Sequence, residues 1–385
     1  MKWSVTFVIL ILVIDACVSR LEIDNVDQQT GTLVVEGQIT DVPGPYQVRL
    51  FRTTTNVDNL NSVTYLLAKS VTIFDDAGES EELKSDKLGV YETDPSGIRG
   101  QIGRKYAIRI QMLNGTIFES IPDELKATGQ IDAVRFEWQS VPQLDGPAKN
   151  GFKVLMDSRS TDSFVRWRFT GSYMLEAFPK LRRLNGASCA NGPPPPPPDP
   201  PECSGWRYNF ISRSNPYAGG TLEEFGECTC CLCWVSVSET RPNLNEDIIS
   251  TDGTYQNIEI GFIPFDQWTF GRGKYMVKVE QMSLTEQAFE FWKLIKDQKD
   301  GTGSLFQPAV GKTKTNLFPT NSSLPVMGIF YASSISKQVN FLTGKDAPIA
   351  VPEYNIKPED NCTLWHACEE LSSFTASRNP PPEWE

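Results

Sequence analysis

Short runs of alternating apolar and polar residues recur along most of the chain, and turns that contain Gly, Pro, Asn or Asp separate many of them. Leu33, Val35 and Ile39 alternate with more polar neighbours, for example, and a turn follows at residues 43–45. A two-residue period is typical of a strand, and these four residue types favour turns. The same reading predicts strands at 46–51, 70–74, 89–93, 105–112, 116–120, 133–139, 151–157, 164–173, 258–264 and 275–282. We therefore expect a mainly β protein.

A chain of 385 residues is too long for one small core, so two domains are expected. The early strands predict an immunoglobulin-like β-sandwich over residues 31–125. The pattern resumes at Ile131 and predicts a second β-rich domain, sandwich or barrel-like, over residues 126–385. Two features interrupt that domain: a Cys/Pro-rich insertion at 186–233, which contains six consecutive prolines, and a helix at 284–297, where Ser283 and Glu286 form a capping box.

The first sixteen residues have the pattern of a secretory signal. Lys2 precedes an apolar block, Trp3 to Ile14, whose twelve residues are fewer than the roughly 20 that span a bilayer as a helix. Ile14-Asp15-Ala16 before Cys17 resembles a bacterial lipobox, although Asp15 departs from that pattern. We expect residues 1–16 to be removed, Cys17 to be lipidated, and residues 17–30 to form a tether. The alternative is cleavage after Ala16 without lipidation.

The cysteine count supports the lipid anchor. Nine cysteines are present, and an odd number in an exported protein needs an explanation. Lipidation of Cys17 leaves eight for disulfides in an oxidising compartment. These are Cys189, Cys203, Cys228, Cys230, Cys231, Cys233, Cys362 and Cys368. We expect Cys362 to pair with Cys368, and the neighbours Cys230 and Cys231 to take different partners. A zinc site in CTCCLC is the alternative; a strand would point its four thiols to opposite faces, so no metal is expected.

The composition argues against two classes of function. A net charge of −12 and a pI near 4.8 disfavour nucleic acid as a partner. The single histidine, His366, lies between two cysteines, and the chain contains neither GxSxG nor HExxH. We expect no catalytic residues and no cofactor. A hydrolase that uses carboxylates alone is a less favoured alternative, because the sequence selects no pair across a cleft.

Aromatic residues are the candidates for ligand or partner contact. The second domain contains Trp138, Trp167, Trp206, Trp234, Trp268 and Trp292, and an exposed subset could stack on sugar or peptide ligands. Tyr208, Phe210 and Tyr217, in the insertion, are the contact residues that we single out. Local packing beneath the disulfides is the alternative interpretation of these three.

Several blocks, in order, resemble one known family. They are LVVEGQITDVPGPYQVRLFRT, SVTIFDDAGE with GVYETDPSGIRGQIGRKYAIRI, SLTEQAFEFWKLIKDQKDGTGSLFQP, PVMGIFYASSISKQVNFL and NCTLWHAC…NPPPEWE. Together they are similar to the Bacteroidetes outer-membrane lipoproteins described as domain of unknown function 4249. The resemblance implies no established activity. Members commonly accompany TonB-dependent outer-membrane transporters, which implies a place in the cell envelope.

These observations lead to one functional expectation with two alternatives. We expect an outer-membrane lipoprotein at the cell surface, with the periplasmic face as the alternative location. Its role would be non-catalytic: binding a ligand for, or docking to, a TonB-dependent barrel. A structural or adhesive surface protein without a small ligand is the first alternative, and the carboxylate hydrolase is the second.

Overall fold

A computed structural model describes residues 32–52, 64–143, 146–176, 202–210, 220–247, 250, 252–301, 315–353, 368 and 376–384. Within these residues the chain is mainly β, as predicted, with one α-helix. The strands are β1 Leu33–Thr40, β2 Gln47–Arg52, β3 Thr64–Tyr65, β4 Ala68–Asp75, β5 Ser80–Glu82, β6 Lys84–Lys87, β7 Val90–Glu92, β8 Lys105–Met112, β9 Ile117–Ser120, β10 Asp123–Glu124, β11 Gln130–Gln143, β12 Gly146–Arg159, β13 Val165–Glu176, β14 Trp206–Phe210, β15 Gly220–Glu224, β16 Leu232–Ser238, β17 Asn243–Leu244, β18 Thr254–Pro264, β19 Lys274–Ser283, β20 Leu317–Pro319, β21 Val326–Ser333, β22 Ile335–Thr343 and β23 Ala376–Ser377. The helix is α1, Glu286–Gly301. In the part of the chain that is described, no helix has both the length and the apolar character needed to cross a membrane.

The first sandwich consists of two six-stranded sheets packed face to face. One has the order β21-β1-β2-β7-β6 with β3 beside β2, and the other β20-β9-β8-β4-β5 with β10 beside β8. Alternate side chains of a strand point to opposite faces of the sheet, so the apolar positions of each strand share the face that packs against the other sheet. These inward-facing side chains are fully buried. The core includes Val35, Ile39, Val48, Leu50, Val71, Ile73, Ile108 and Ile110.

Two strands of this sandwich come from late in the sequence. Strand β21 pairs in parallel with β1, from Leu33 beside Val326 to Thr40 beside Ser333, and β20 pairs with β9. Gly328 permits the close approach: its φ is +95°, and a Cβ there would overlap the backbone of Val35. The predicted first domain, residues 31–125, thus holds all but two strands of the sandwich.

The second sandwich packs a three-stranded sheet on a six-stranded sheet. The orders are β11-β12-β18 and β22-β19-β13-β16-β23, with β17 beside β13. Its core is rich in aromatic residues, and the indole N–H of Trp167 is satisfied by Gln281 Oε1 at 3.0 Å. This core includes Phe152, Val154, Met156, Trp167, Phe169, Tyr173, Phe270, Tyr275 and Val279.

Helix α1 lies between the sandwiches. It packs Ala288, Phe289 and Phe291 with Ile329 and Tyr331 of β21 in a third apolar cluster. The helix begins two residues later than the predicted capping box requires, so the prediction of Ser283 as the cap is wrong. Thr285 Oγ1 accepts from the N–H of Ala288 at 3.3 Å, whereas Ser283 Oγ donates to the carbonyl of Lys126.

Two aspartates fasten the second sandwich to the first. Asp123 accepts from Thr285 Oγ1 at 2.5 Å and from the N–H of Ala332 at 2.9 Å. Asp41 accepts from Ser334 Oγ at 2.5 Å and from the N–H of Ile335 at 2.9 Å. These side chains satisfy backbone groups where β21 ends and β22 begins, so the chain passes between the sandwiches in a fixed geometry.

Candidate ligand-binding cleft

A cleft of about 820 Å³ opens in the second sandwich. It lies between β18, which is the edge strand of the three-stranded sheet, and strands β13, β16 and β19 of the facing sheet. Its lining includes residues of both sheets, next to the core that fills the space between them. The volume falls within the range of about 300–1,000 Å³ that is usual for small-molecule sites.

Two tyrosines form the floor of the cleft. Tyr173 of β13 and Tyr275 of β19 are register partners, and their rings stack with centroids 5.9 Å apart and 13° between planes. Phe270 stacks on the same Tyr275 ring at 5.8 Å. Gly171 has no side chain, and a Cβ there would overlap the hydroxyl of Tyr275. Tyr275 therefore reaches across the inner face of the sheet only because Gly171 leaves room.

The two tyrosine hydroxyls have no hydrogen-bond partner among the described residues, although Tyr173 is 4 % exposed and Tyr275 is 1 % exposed. Burial raises the pKa of both phenols above the ordinary value, and the nearby negative charge of Asp266 raises each pKa further. Both phenols consequently stay protonated at neutral pH. Each hydroxyl is a donor and an acceptor that the described residues leave available to a molecule in the cleft.

Aromatic and charged residues form the walls. Phe262 and Trp268 line the cleft, with the ammonium of Lys149 5.4 Å from the centroid of the Phe262 ring. Asp266 uses Oδ1 to accept from the N–H groups of Trp268 at 2.9 Å and Thr269 at 2.8 Å. This turn fixes the carboxylate beside the tyrosines. The cleft thus combines apolar ring surface with hydrogen-bonding groups.

The other charges of the cleft are paired. Glu259 is 2.8 Å from Lys153, and Arg241 is 2.7 Å from Asp300. Glu239 accepts from Arg166 at 2.9 Å and from the N–H of Phe169 at 3.1 Å. The lining includes Glu239, Glu259 and Asp266 against Lys149 and Arg241, so three negative charges face two positive ones. Once the paired charges are set aside, Asp266 and Lys149 remain as opposite charges, so the cleft has no net charge that would attract an anion.

The cysteine-rich insertion is held by three disulfides among the described residues. Cys203 bonds Cys230, Cys228 bonds Cys231, and Cys233 bonds Cys368. The adjacent cysteines take different partners, as predicted. The predicted pairing of Cys362 with Cys368 is wrong, because Cys368 bonds Cys233 and its N–H donates to the carbonyl of Cys230 at 3.0 Å. Loop-closure entropy favours a bond between cysteines that are close in the sequence. Here the fold instead places Cys233 beside Cys368, although the two are 135 positions apart.

Several residues discussed in the sequence analysis lie outside the described ranges. These are Cys17, Cys189, Tyr217, Cys362 and His366. Tyr208 and Phe210 lie on β14, which pairs with β15 in a separate two-stranded sheet, with Tyr208 opposite Leu222 and Phe210 opposite Gly220. Their role in contact with a ligand or partner stays a prediction.

Sequence reasoning missed the cleft. Trp268 was among the candidate tryptophans, but Tyr173, Tyr275 and Asp266 were not singled out. The available signal is Gly171, which occupies an inward-facing position of β13 where the other inward positions carry large apolar or aromatic side chains, and such a glycine marks a close approach of another group. That signal gives a position on one strand without identifying the ring that occupies the space.

The described residues define a mainly β protein of two sandwiches with an aromatic, polar cleft in the second. The chain belongs to the family described as Domain of unknown function (DUF4249), whose model matches residues 19–339. No curated protein and no solved structure matches the chain.

Proposed function

We propose that this protein is a non-catalytic ligand-binding lipoprotein of the outer membrane. The observation that carries the binding role is a cleft of about 820 Å³ whose lining includes two tyrosines with no hydrogen-bond partner for their hydroxyls among the described residues. A ligand that bonds these hydroxyls takes the place of water in the cleft, and each such hydrogen bond contributes about 0.5–1.5 kcal/mol net.

The anchor and the partner rest on the sequence. The lipobox-like residues before Cys17 support lipidation, and the family resemblance supports work beside a TonB-dependent barrel at the cell surface. Several acyl chains on one terminus would hold the protein stably, since each buried CH₂ contributes about 0.8 kcal/mol. The disulfide-bonded insertion is the element that we propose docks to the barrel.

Two measurements on native membranes test this location and partnership. The intact mass of the mature polypeptide should correspond to a chain that starts at diacylated or triacylated Cys17, and Cys17→Ser should abolish that species. Gentle solubilisation and capture of the tagged protein should recover a TonB-dependent barrel, and Cys17→Ser serves as the control. A mature chain starting elsewhere contradicts the anchor. Adhesion to surfaces by a protein that recovers no barrel would favour the adhesive alternative.

The hydrolase alternative has one supporting observation, the presence of three carboxylates in the lining of the cleft. Burial raises the pKa of Glu239, which is a property of general acids. However, both oxygens of Glu239 accept hydrogen bonds from protein groups, which stabilises the charged form, and Glu259 is paired with Lys153. We expect unchanged substrates after prolonged incubation with the protein, and product formation that is lost in Glu239→Gln would contradict the non-catalytic proposal.

A further inference from the structure

The chemistry of the cleft indicates the class of ligand. We propose that the cleft binds a neutral, polyhydroxylated molecule of oligosaccharide size, with its hydroxyl groups bonded to Tyr173, Tyr275 and Asp266. This inference rests on the binding role proposed above and specifies its ligand.

The hydrogen-bonding groups match hydroxyls better than they match other ligands. Each tyrosine hydroxyl both donates and accepts, and the second oxygen of Asp266 has no partner among the described residues and can only accept. A sugar hydroxyl donates and accepts in the same way, so neighbouring hydroxyls can bridge a phenol and a carboxylate. A ligand without donors would leave the Asp266 oxygen unsatisfied.

The charges of the cleft favour neither an anion nor a cation. Three of the five charged side chains in the lining are paired with neighbouring residues, and the remaining two, Asp266 and Lys149, are opposite in sign, so no net positive charge attracts phosphates or organic acids. The stacked rings of Tyr173 and Tyr275 lie parallel, 5.9 Å apart, which leaves no space for an ammonium group between their faces. An aromatic cage for an organic cation needs ring faces around a common point, and these two faces are covered by one another and by Phe270.

The shape also fits a sugar. The cleft is open at the edge of the sandwich, and its volume of about 820 Å³ accommodates two or three sugar units. The apolar C–H face of a pyranose ring stacks on aromatic surface, and Phe262 and Trp268 line the wall beside the hydroxyl groups. Ring stacking and hydroxyl bonding are therefore available to the same molecule.

The experiment uses the purified mature chain with its disulfides intact. Maltotriose, cellotriose, xylotriose, mannotriose and chitotriose are titrated to millimolar concentration, and binding is followed by tryptophan fluorescence and by ligand-observed NMR. Choline, dialanine and glucose 6-phosphate form parallel arms for organic cations, peptides and anions. At least one neutral trisaccharide should bind, and the other arms should not.

Conservative variants assign the binding to the cleft. Tyr173→Phe and Tyr275→Phe should each weaken trisaccharide binding about tenfold while leaving the unfolding midpoint unchanged, because neither hydroxyl bonds to any of the described residues. Tyr106→Phe is the matched control: Tyr106 is 1 % exposed in the first sandwich, and its hydroxyl accepts from the N–H of Gln101 at 2.8 Å. That variant should lower the unfolding midpoint and leave trisaccharide binding unchanged.

The possible failures separate the two proposals. Binding of choline or dialanine, weakened by the two cleft variants while no trisaccharide binds, overturns the sugar inference and retains the ligand-binding function. Trisaccharide binding that is indifferent to both variants overturns the assignment to this cleft. If no probe of any class binds, both the inference and the proposed binding function are contradicted.

Discussion

The sulfur atoms of Cys233 and Cys368 are bonded, so a residue of β16 is joined to one that lies 135 positions further along the chain. Both residues are fully buried, and both belong to the core of the second sandwich. Beyond Cys368 the chain returns to the same sheet, where β23 pairs with β16 through Val235 and Trp234. The bond thus attaches the end of the described chain to the sheet that carries the cleft.

We expect Cys233→Ala/Cys368→Ala to lower the free energy of unfolding by about 3 to 5 kcal/mol, because the bond closes a long loop in the unfolded chain. Cys228→Ala/Cys231→Ala removes a bond across a separation of 3, and the same model gives a loss of about 1.5 kcal/mol. Guanidinium unfolding of the two double variants measures the difference. A loss that is equal in both, or larger for the short loop, would contradict the loop-closure explanation.

Gly171 should be intolerant of a side chain. Gly171→Ala would force the Tyr275 ring away from the sheet, but Tyr173 and Phe270 confine that ring from both faces. We expect a loss of about 1 to 3 kcal/mol from overpacking, together with a changed near-ultraviolet circular dichroism spectrum. The combination Gly171→Ala/Tyr275→Leu removes the overlap and should recover part of the loss. No recovery would mean that the glycine is required for another reason.

Local patterns predicted the strands because each strand has its own alternation. The prediction for residues 105–112 coincides with β8, and most of the other predicted strands lie within longer observed ones. The pairing of strands was less accessible. Strand β21 joins β1 in parallel across almost three hundred residues, and this pairing depends on packing between segments that share no local signal. The family resemblance includes the block PVMGIFYASSISKQVNFL, which contains β21, but it does not give the strands beside which this block lies.

The cleft was inaccessible to sequence reasoning for the same reason. Tyr173 and Tyr275 are about a hundred positions apart, and each occupies an inward-facing position that a core tyrosine would also occupy. What distinguishes them is the absence of partners for their hydroxyls among the described residues. The helix shows a smaller difference: SLTE offered Ser283 as a cap, but Ser283 bonds the carbonyl of Lys126, and Thr285 caps the helix instead.

Arg166 and Glu239 form a buried ion pair that should be strongly coupled. Their side chains are 7 % and 8 % exposed, and the guanidinium also lies 3.7 Å from the centroid of the Trp292 ring. Arg166→Met leaves a buried carboxylate without its cation, so we expect a loss of about 3 to 5 kcal/mol. Glu239→Gln should cost a similar amount, since the cation is then unpaired.

The double variant Arg166→Met/Glu239→Gln should be much less destabilised than the sum of the two single variants, because it leaves no unpaired charge. Urea unfolding of all four proteins forms a double-mutant cycle, and we expect a coupling of at least about 2 kcal/mol. Arg109→Met/Glu119→Gln is the matched control on the surface of the first sandwich, where Arg109 is 60 % exposed and little coupling is expected. Additive effects at Arg166 and Glu239 would refute the buried pair.

Asp123 should give the junction an unusual pH dependence. Burial raises the pKa of its carboxyl above the ordinary 3.8, so the folded state holds this proton more tightly than the unfolded chain does. The contribution of Asp123 to stability is therefore fully present below pH 3.8 and is lost as the pH rises through the raised pKa. This sign is opposite to that of a carboxylate stabilised by a cation.

Asp123→Asn removes this titration and keeps one acceptor for the N–H of Ala332. We expect the unfolding free energy of the wild type minus that of Asp123→Asn to decrease as the pH rises from 3.5 to 7, by at most about 1.4 kcal/mol per pH unit. Asp157→Asn is the control with the opposite trend, because its hydrogen bonds from Arg135 lower the pKa of Asp157. A difference for Asp123→Asn that is flat or rises with pH would contradict the raised pKa.

Trp384 covers the outer face of the sheet that carries the cleft floor. Its ring packs edge-to-face on Trp234 at 6.2 Å and on Phe341 at 6.3 Å, and its carbonyl accepts from the Lys274 ammonium at 2.6 Å. The same ammonium lies 4.9 Å from the Trp384 ring centroid.

Trp384→Ala should lower the free energy of unfolding by about 2 to 4 kcal/mol, since it loses ring burial and the cation–π contact. Trp384→Phe retains an aromatic ring and should lose less than half as much free energy of unfolding. Both variants keep the backbone carbonyl of residue 384, so the hydrogen bond from Lys274 does not contribute to the difference between them. Thermal and urea unfolding of the two variants measure this contribution, and an Ala variant as stable as the wild type would show that the ring stabilises nothing.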